Sequence, residues 1–255
     1  MNFLTKDFNI YFEKHGDGKQ QIIILPGWGN NRKTFNYLIN YFKSFFTIYI
    51  FDYPGFGKSP FPNRNLTIDD YTNIIIEFLK ANNIENPIII AHSFGGRIAI
   101  SLSGKYKVKT KKIILMDAAG IKPKKSFFQK LKQTIYKFLK KLKIIFPRKY
   151  RQSYINFLIK IFGSSDFKNI DPNIRKTFIS IVNTDLSKYL KFINSPTLLI
   201  WGEKDYDTPL KDAYIMDKDI VDSGLIILEK AGHFVYLDYP SYVNNIINEF
   251  LKKDK

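Results

Sequence analysis

The chain has 255 residues, of which 45% are hydrophobic, no cysteine, and a formal net charge of +17. That length supports one large core, near the size at which single cores stop growing, so an insertion is expected to pack on the main domain. The missing cysteines exclude a disulfide framework, a thiolate nucleophile and a cysteine-ligated metal. No continuous apolar stretch with a small-residue cleavage site opens the chain, and no run approaches 18 apolar residues, so a soluble, cytoplasmic protein is expected.

In chain order, apolar runs bounded by turn residues predict strands near Asn9–Glu13, Gln21–Leu25, Phe46–Asp52, Pro87–Ala91, Lys112–Asp117, Thr197–Trp201 and Leu225–Leu228. Helical periodicity falls between them, near Thr34–Phe42, Ile68–Asn82, Gly96–Gly104, Pro209–Lys218 and Ser241–Lys252. Strand alternating with helix predicts an α/β fold with a mostly parallel sheet. The alternation breaks once. Residues 121–190 intervene before the next strand and carry helical periodicity. A structureless loop of that size is implausible inside a compact domain, so they read as a helical insertion. The expected organisation is a core of residues 1–120 and 191–255 with a helical cap over 121–190.

Residues 90–96, I-A-H-S-F-G-G, are the most informative stretch. Ile88, Ile89 and Ile90 suit a buried strand, Gly95 and Gly96 open a helix, and Ser93 stands between them where the pattern G-x-S-x-G puts a nucleophile. Such a turn strains the serine backbone, and its neighbours two residues away must be small, here Ala91 and Gly95. A serine hydroxyl needs a base and the base an orienting acid. Of three histidines, His92 adjoins the serine and is expected to point away, and His15 lies in a polar turn. His233 follows the strand Leu225–Leu228, at the strand end where an α/β fold places catalytic groups. Asp205, after the run Thr197–Ile200, is the preferred acid, with Asp117 as rival and Asp207 close by. The order Ser93, Asp205, His233 is that of nucleophile, acid and base in the α/β-hydrolases.

Four segments together resemble that family over nearly the whole chain: Leu25-Pro26-Gly27-Trp28-Gly29, the turn from Asp52 to Ser59, the elbow at Ser93, and Gly232-His233. Pro26 stands where the family commonly has histidine, and Ala91 where it has glycine. The resemblance implies an oxyanion hole made by the backbone N–H groups of Trp28 and Phe94, whose rings would wall the pocket or belong to the core. It also implies a hydrolase of an ester or related acyl substrate that forms an acyl-enzyme and needs no cofactor. Carbon–carbon bond hydrolysis of ring-fission-type diketones, acyl transfer and a non-catalytic binding role are the alternatives. The first is disfavoured by His92 and Phe234, where those enzymes carry asparagine and tryptophan.

From Ile121 to Ser165 the chain holds thirteen Lys or Arg and no Asp or Glu. Phe128, Leu131, Ile135, Phe138, Leu142 and Ile145 form an apolar stripe, with Lys130, Lys132, Lys137, Lys140, Lys141 and Lys143 mostly on the other face. The stripe reads first as the underside of a lid, and second as a basic amphipathic helix touching an anionic membrane weakly. Nucleic-acid binding is not expected, since no reading helix or aromatic sheet motif accompanies the charge. A phosphate loop is excluded because Asp52 stands where its first glycine belongs, and scattered histidines predict no metal site. Arg97 is expected to salt-bridge at the surface or with a neighbouring loop.

Overall fold

The computed structural model describes residues 1–29, 32–122, 134–136, 138–162 and 170–254. Eight strands form one sheet: β1 (Asn2–Leu4), β2 (Asn9–His15), β3 (Gln21–Leu25), β4 (Thr47–Phe51), β5 (Ile88–His92), β6 (Lys112–Met116), β7 (Thr197–Gly202) and β8 (Ser223–Leu228). Their spatial order is β1-β2-β4-β3-β5-β6-β7-β8. β1 and β2 pair antiparallel, as do β2 and β4, and every later pairing is parallel. β3, β5 and β6 are runs of isoleucine and leucine because parallel strands are buried on both faces. β1 is three residues long and lies at the edge, too short for an alternation to show in the sequence.

The helices that share residues 1–122 and 184–255 with the sheet are α1 (Asn36–Phe42), α2 (Ile68–Ala81), α3 (Phe94–Ile100), α6 (Leu210–Asp219), α7 (Val235–Asp238) and α8 (Pro240–Phe250), while α4 (Arg151–Phe162) and α5 (Arg175–Asn183) lie in residues 123–183. α2 starts at a capping box, in which the Thr67 hydroxyl accepts from Asp70 N–H while the Asp70 carboxylate accepts from Thr67 N–H. Ile22, Ile24, Ile48, Ile90, Ile114 and Ile200 on the sheet pack with Phe35, Phe42, Val243 and Ile247 from flanking segments in one buried cluster.

The chain divides into two compact units, 1–122 with 184–255, and 123–183. The larger unit takes in residues 184–190, which the sequence pattern had assigned to the insertion. They return to the core through specific bonds. Leu186 N–H donates to Gly120 O at 3.0 Å, and the buried Arg97 guanidinium donates to Thr184 O at 2.7 Å. Of the two places expected for Arg97, the surface and a neighbouring loop, it takes the second, as a buried donor to a loop carbonyl; burial draws its pKa down to about 10.

Within the smaller unit, Phe128, Leu131, Lys130, Lys132 and Lys137 lie outside the described residues. Residues 134–136 and 138–141 are helical, and the second run tightens into a 3₁₀ turn at Leu142–Ile145. Pro147 accounts for that ending, because a residue before proline is driven to extended backbone, and Phe146 has φ −85° and ψ 144°. Among the described residues no helix is long and apolar enough to cross a membrane.

Candidate active site

The strand order reverses between β3 and β5, since β4 lies to one side of β3 and β5 to the other. In open α/β sheets, ligands bind at the carboxyl ends of strands at such a point. Leu25 is paired with Ala91, so the loop carrying Trp28 and the turn carrying Ser93 leave the sheet side by side. Ser93 has φ +49° and ψ −115°, a left-handed conformation rare for a residue with a side chain. The turn is held by Ser93 O, which accepts from Gly96 N–H at 2.9 Å and Ala119 N–H at 2.8 Å. Gly95 is obligatory: a Cβ there would stand 1.9 Å from Leu25 O.

The half-buried Ser93 hydroxyl lies 2.9 Å from His233 Nε2, and His233 Nδ1 lies 2.8 Å from Asp205 Oδ2. Asp205 is 4% exposed and its oxygens are fully engaged. Oδ1 accepts the N–H groups of Asp207 and Thr208 at 2.8 and 3.0 Å, and Oδ2 accepts the Thr208 hydroxyl at 2.6 Å. Burial alone would raise this carboxyl, but the bonds from His233 and Thr208 outweigh it and hold the group below the usual carboxylate range. His233 is displaced the other way. Burial disfavours the imidazolium, yet the Asp205 bond and charge win and raise its pKa above the ordinary value. A pair with one carboxylate kept ionised and one imidazole made more basic is suited to taking and returning a proton near neutral pH.

Asp117 has a different place from the one its rivalry with Asp205 suggested. It is fully buried at the end of β6, with φ +43°. Its Oδ1 accepts Gly202 N–H at 2.8 Å and its Oδ2 accepts Val235 N–H at 3.0 Å. Its carbonyl accepts the Thr208 hydroxyl at 2.9 Å. One residue therefore ties the segment leading to Asp205 and the segment following His233. Burial pushes its carboxyl up to about 7, against the two backbone bonds that favour the carboxylate.

His92 does point away from the serine hydroxyl, but it is not idle. Its Nε2 donates to the His233 carbonyl at 2.7 Å, and its ring lies 4.9 Å from the His233 ring. Full burial, then the charge of His233, draws its pKa down to about 3, so it is neutral and keeps that N–H as a donor. No sequence signal distinguished this role from that of a plain core histidine. His15 lies on β2, 3.3 Å from Glu13.

Trp28 is half-buried and Phe94 is 3% exposed. The Phe94 ring packs edge-on against Trp28, Tyr53 and Tyr71 at 5.2, 5.4 and 5.1 Å, and so belongs to the core. The Phe94 backbone N–H opens α3, whose N-terminal end favours negative charge. The Asp52 turn is structural. Its carboxylate accepts Lys58 N–H at 2.8 Å and pairs with Arg32, and a Cβ at Gly57 (φ +53°) would stand 2.1 Å from it.

Among the described residues, Asp205, Asp207 and His233 are the group whose potential ligand atoms converge, within 4.8 Å of one another. Asp205 and His233 already satisfy each other, so a cation there would have to break the imidazole–carboxylate bond.

A family described as alpha/beta hydrolase fold matches residues 21–169, and one described as TAP-like protein matches residues 182–255. The chain is 29% identical to a pimeloyl-acyl-carrier-protein methyl ester esterase of Wigglesworthia glossinidia brevipalpis, over 93% of this chain and 96% of the relative. It is 23% identical to a 2-hydroxy-6-oxononadienedioate/2-hydroxy-6-oxononatrienedioate hydrolase of Pseudomonas putida, over 96% of this chain and 92% of that one. Among solved structures, an esterase from Exiguobacterium antarcticum is similar with a TM-score of 0.75 at 23% identity, covering 96% of each chain.

Proposed function

The chain belongs to the alpha/beta hydrolase family, and from that premise we propose that it is a serine hydrolase of carboxylic esters whose catalytic residues are Ser93, His233 and Asp205. One observation carries the reading: an unbroken hydrogen-bond relay from Ser93 Oγ through both His233 nitrogens to Asp205 Oδ2, at 2.9 and 2.8 Å. Ser93 Oγ attacks the ester carbonyl as His233 Nε2 takes its proton. Asp205 holds Nδ1–H and stabilises the imidazolium that forms. The carbonyl oxygen becomes an oxyanion, for which the backbone N–H groups of Trp28 and Phe94 are the assigned donors. Collapse breaks the ester C–O bond, and the proton on Nε2 passes to the leaving alkoxide, which departs as the alcohol. Water, deprotonated by His233, then attacks the acyl-enzyme, and the second collapse returns the proton to Ser93 and releases the acid.

The methyl ester esterase relative supports small-alkyl esters of longer acyl chains as the first substrates to examine. Against carbon–carbon hydrolysis stand His92 and Phe234, the neighbours of the nucleophile and base. The test is hydrolysis of p-nitrophenyl and methyl esters of increasing chain length, with fluorophosphonate labelling. Ser93→Ala is expected to abolish both turnover and labelling, and substantial hydrolysis by that variant, free of contaminating esterase, would sink the reading.

A further inference from the structure

Residues 144–150 of the smaller unit, I-I-F-P-R-K-Y, are all exposed. Ile144 is 69% and Ile145 75% exposed, values at which a large aliphatic side chain gains little from the fold. Phe138 and Phe157 are 64% and 58% exposed. This exposure is built into the local structure. Arg151 Nε donates to Phe146 O at 3.0 Å and Arg151 Nη2 to Ile144 O at 3.3 Å. Tyr154 donates its hydroxyl to Leu139 O at 2.9 Å, and its ring stacks on Phe146 at 4.5 Å. The start of α4 therefore clamps the segment by its backbone and leaves the two isoleucines outward.

The charge beside them has one sign. Lys140, Lys141, Arg148 and Lys149 are exposed around the isoleucines, and no Asp or Glu occurs between Ile121 and Ser165. A second copy of this chain would be repelled by the same charge. An acidic protein would answer the lysines but not the leading isoleucine pair. A bilayer interface with anionic headgroups answers both, with apolar side chains entering the headgroup boundary and Lys and Arg pairing with phosphates.

We propose that this segment is a docking surface for an anionic lipid bilayer, with Ile144 and Ile145 entering the interface and the flanking Lys and Arg holding the headgroups. Contact is peripheral, as no described helix could span.

The test is co-sedimentation of the full chain with vesicles of phosphatidylglycerol and phosphatidylcholine, or of phosphatidylcholine alone, at low and high salt. Binding is expected to the first kind only and to weaken as salt shortens the screening length to about 10 Å at 0.1 M. Reversing two charges, in Arg148→Glu/Lys149→Glu, changes the surface by four charge units, each worth about fivefold near an anionic membrane. A loss on the order of a hundredfold or more is therefore expected. The charge-neutral Ile144→Asn should lose binding too, and because all three positions are exposed, the thermal melts of both variants should overlay the wild type. Absence of wild-type binding to phosphatidylglycerol vesicles at low salt overturns the proposal. So does a loss in the charge variant without one in Ile144→Asn, which would leave only general attraction by a basic protein. If the chain ignores vesicles but is held by immobilised poly-glutamate through the same residues, the surface takes an acidic protein and the lipid proposal falls.

Discussion

Asp205→Asn tests the relay at the point where geometry makes the sharpest statement. Asp205 Oδ1 receives two backbone N–H groups, from Asp207 and Thr208, that cannot turn away. An asparagine must keep its oxygen there, which puts its NH₂ at the Oδ2 position facing His233 Nδ1. Two donors cannot face each other, so Nδ1 becomes the acceptor and the ring proton moves to Nε2, opposite the Ser93 hydroxyl. The imidazole then has no lone pair for the serine proton. The same tautomer reversal in a serine protease lowers kcat about 10⁴-fold, which corresponds to about 5.4 kcal/mol at 1.36 kcal/mol per decade. The expected result is a loss of three to four decades in kcat for p-nitrophenyl acetate, roughly, with KM little changed. Stoichiometric but much slower fluorophosphonate labelling should accompany it. A kcat within about tenfold of wild type would refute the tautomer reasoning, and would point to Asp117, behind the same loops, as the charge that matters.

Because Asp205 raises His233 above the ordinary imidazole value, kcat/KM is expected to rise with pH along a limb centred above about 6.5 and to fall as acid protonates the base. Asp117 also adds to that rise, so in Asp117→Asn a pH–rate profile should show the limb moved to lower pH; an unmoved limb would mean Asp117 acts on structure alone. His92→Phe leaves the His233 carbonyl without its 2.7 Å donor, and steady-state kinetics should show kcat reduced by about 10- to 100-fold with KM nearly constant, the equivalent of about 1–3 kcal/mol. Gly95→Ala forces a methyl group against Leu25 O, and denaturant unfolding should show destabilisation by about 2–3 kcal/mol or more.

Much of this arrangement was legible because its signals are local. β3 begins and ends where the apolar run Gln21–Leu25 does, and α2 begins at Ile68, where the helical period does. Ser93, Asp205 and His233 each sit just beyond a strand, so reading strands also read the positions that converge. What stayed hidden depends on contacts between residues far apart in sequence. Asp117 looked like a second acid because it ends a strand, and only the fold aims Gly202 N–H and Val235 N–H at its two oxygens. Arg97 was readable as meeting either the surface or a neighbouring loop, and only the fold shows that the loop is the one at Thr184, 87 residues on. The apolar stripe was legible as periodicity, but period does not say which face is solvated, and in Ile135, Phe138 and Ile145 it is exposed.

The root of the insertion has a consequence for where the chain tolerates change. The chain leaves the larger unit and re-enters it through a stapled neck. Gly120 O accepts Leu186 N–H at 3.0 Å, and Lys122 N–H donates to Asp185 Oδ1 at 3.3 Å. Whatever lies between 122 and 184 therefore begins and ends at nearly one point, as a plug-in cassette does, and its length places no strain on the sheet. The loops at Asp205 and His233, both anchored to Asp117, have no such freedom. Change in the length or sequence of that segment is therefore cheap for the larger unit, and leaves the hydrogen bonds joining Ser93, His233 and Asp205 untouched.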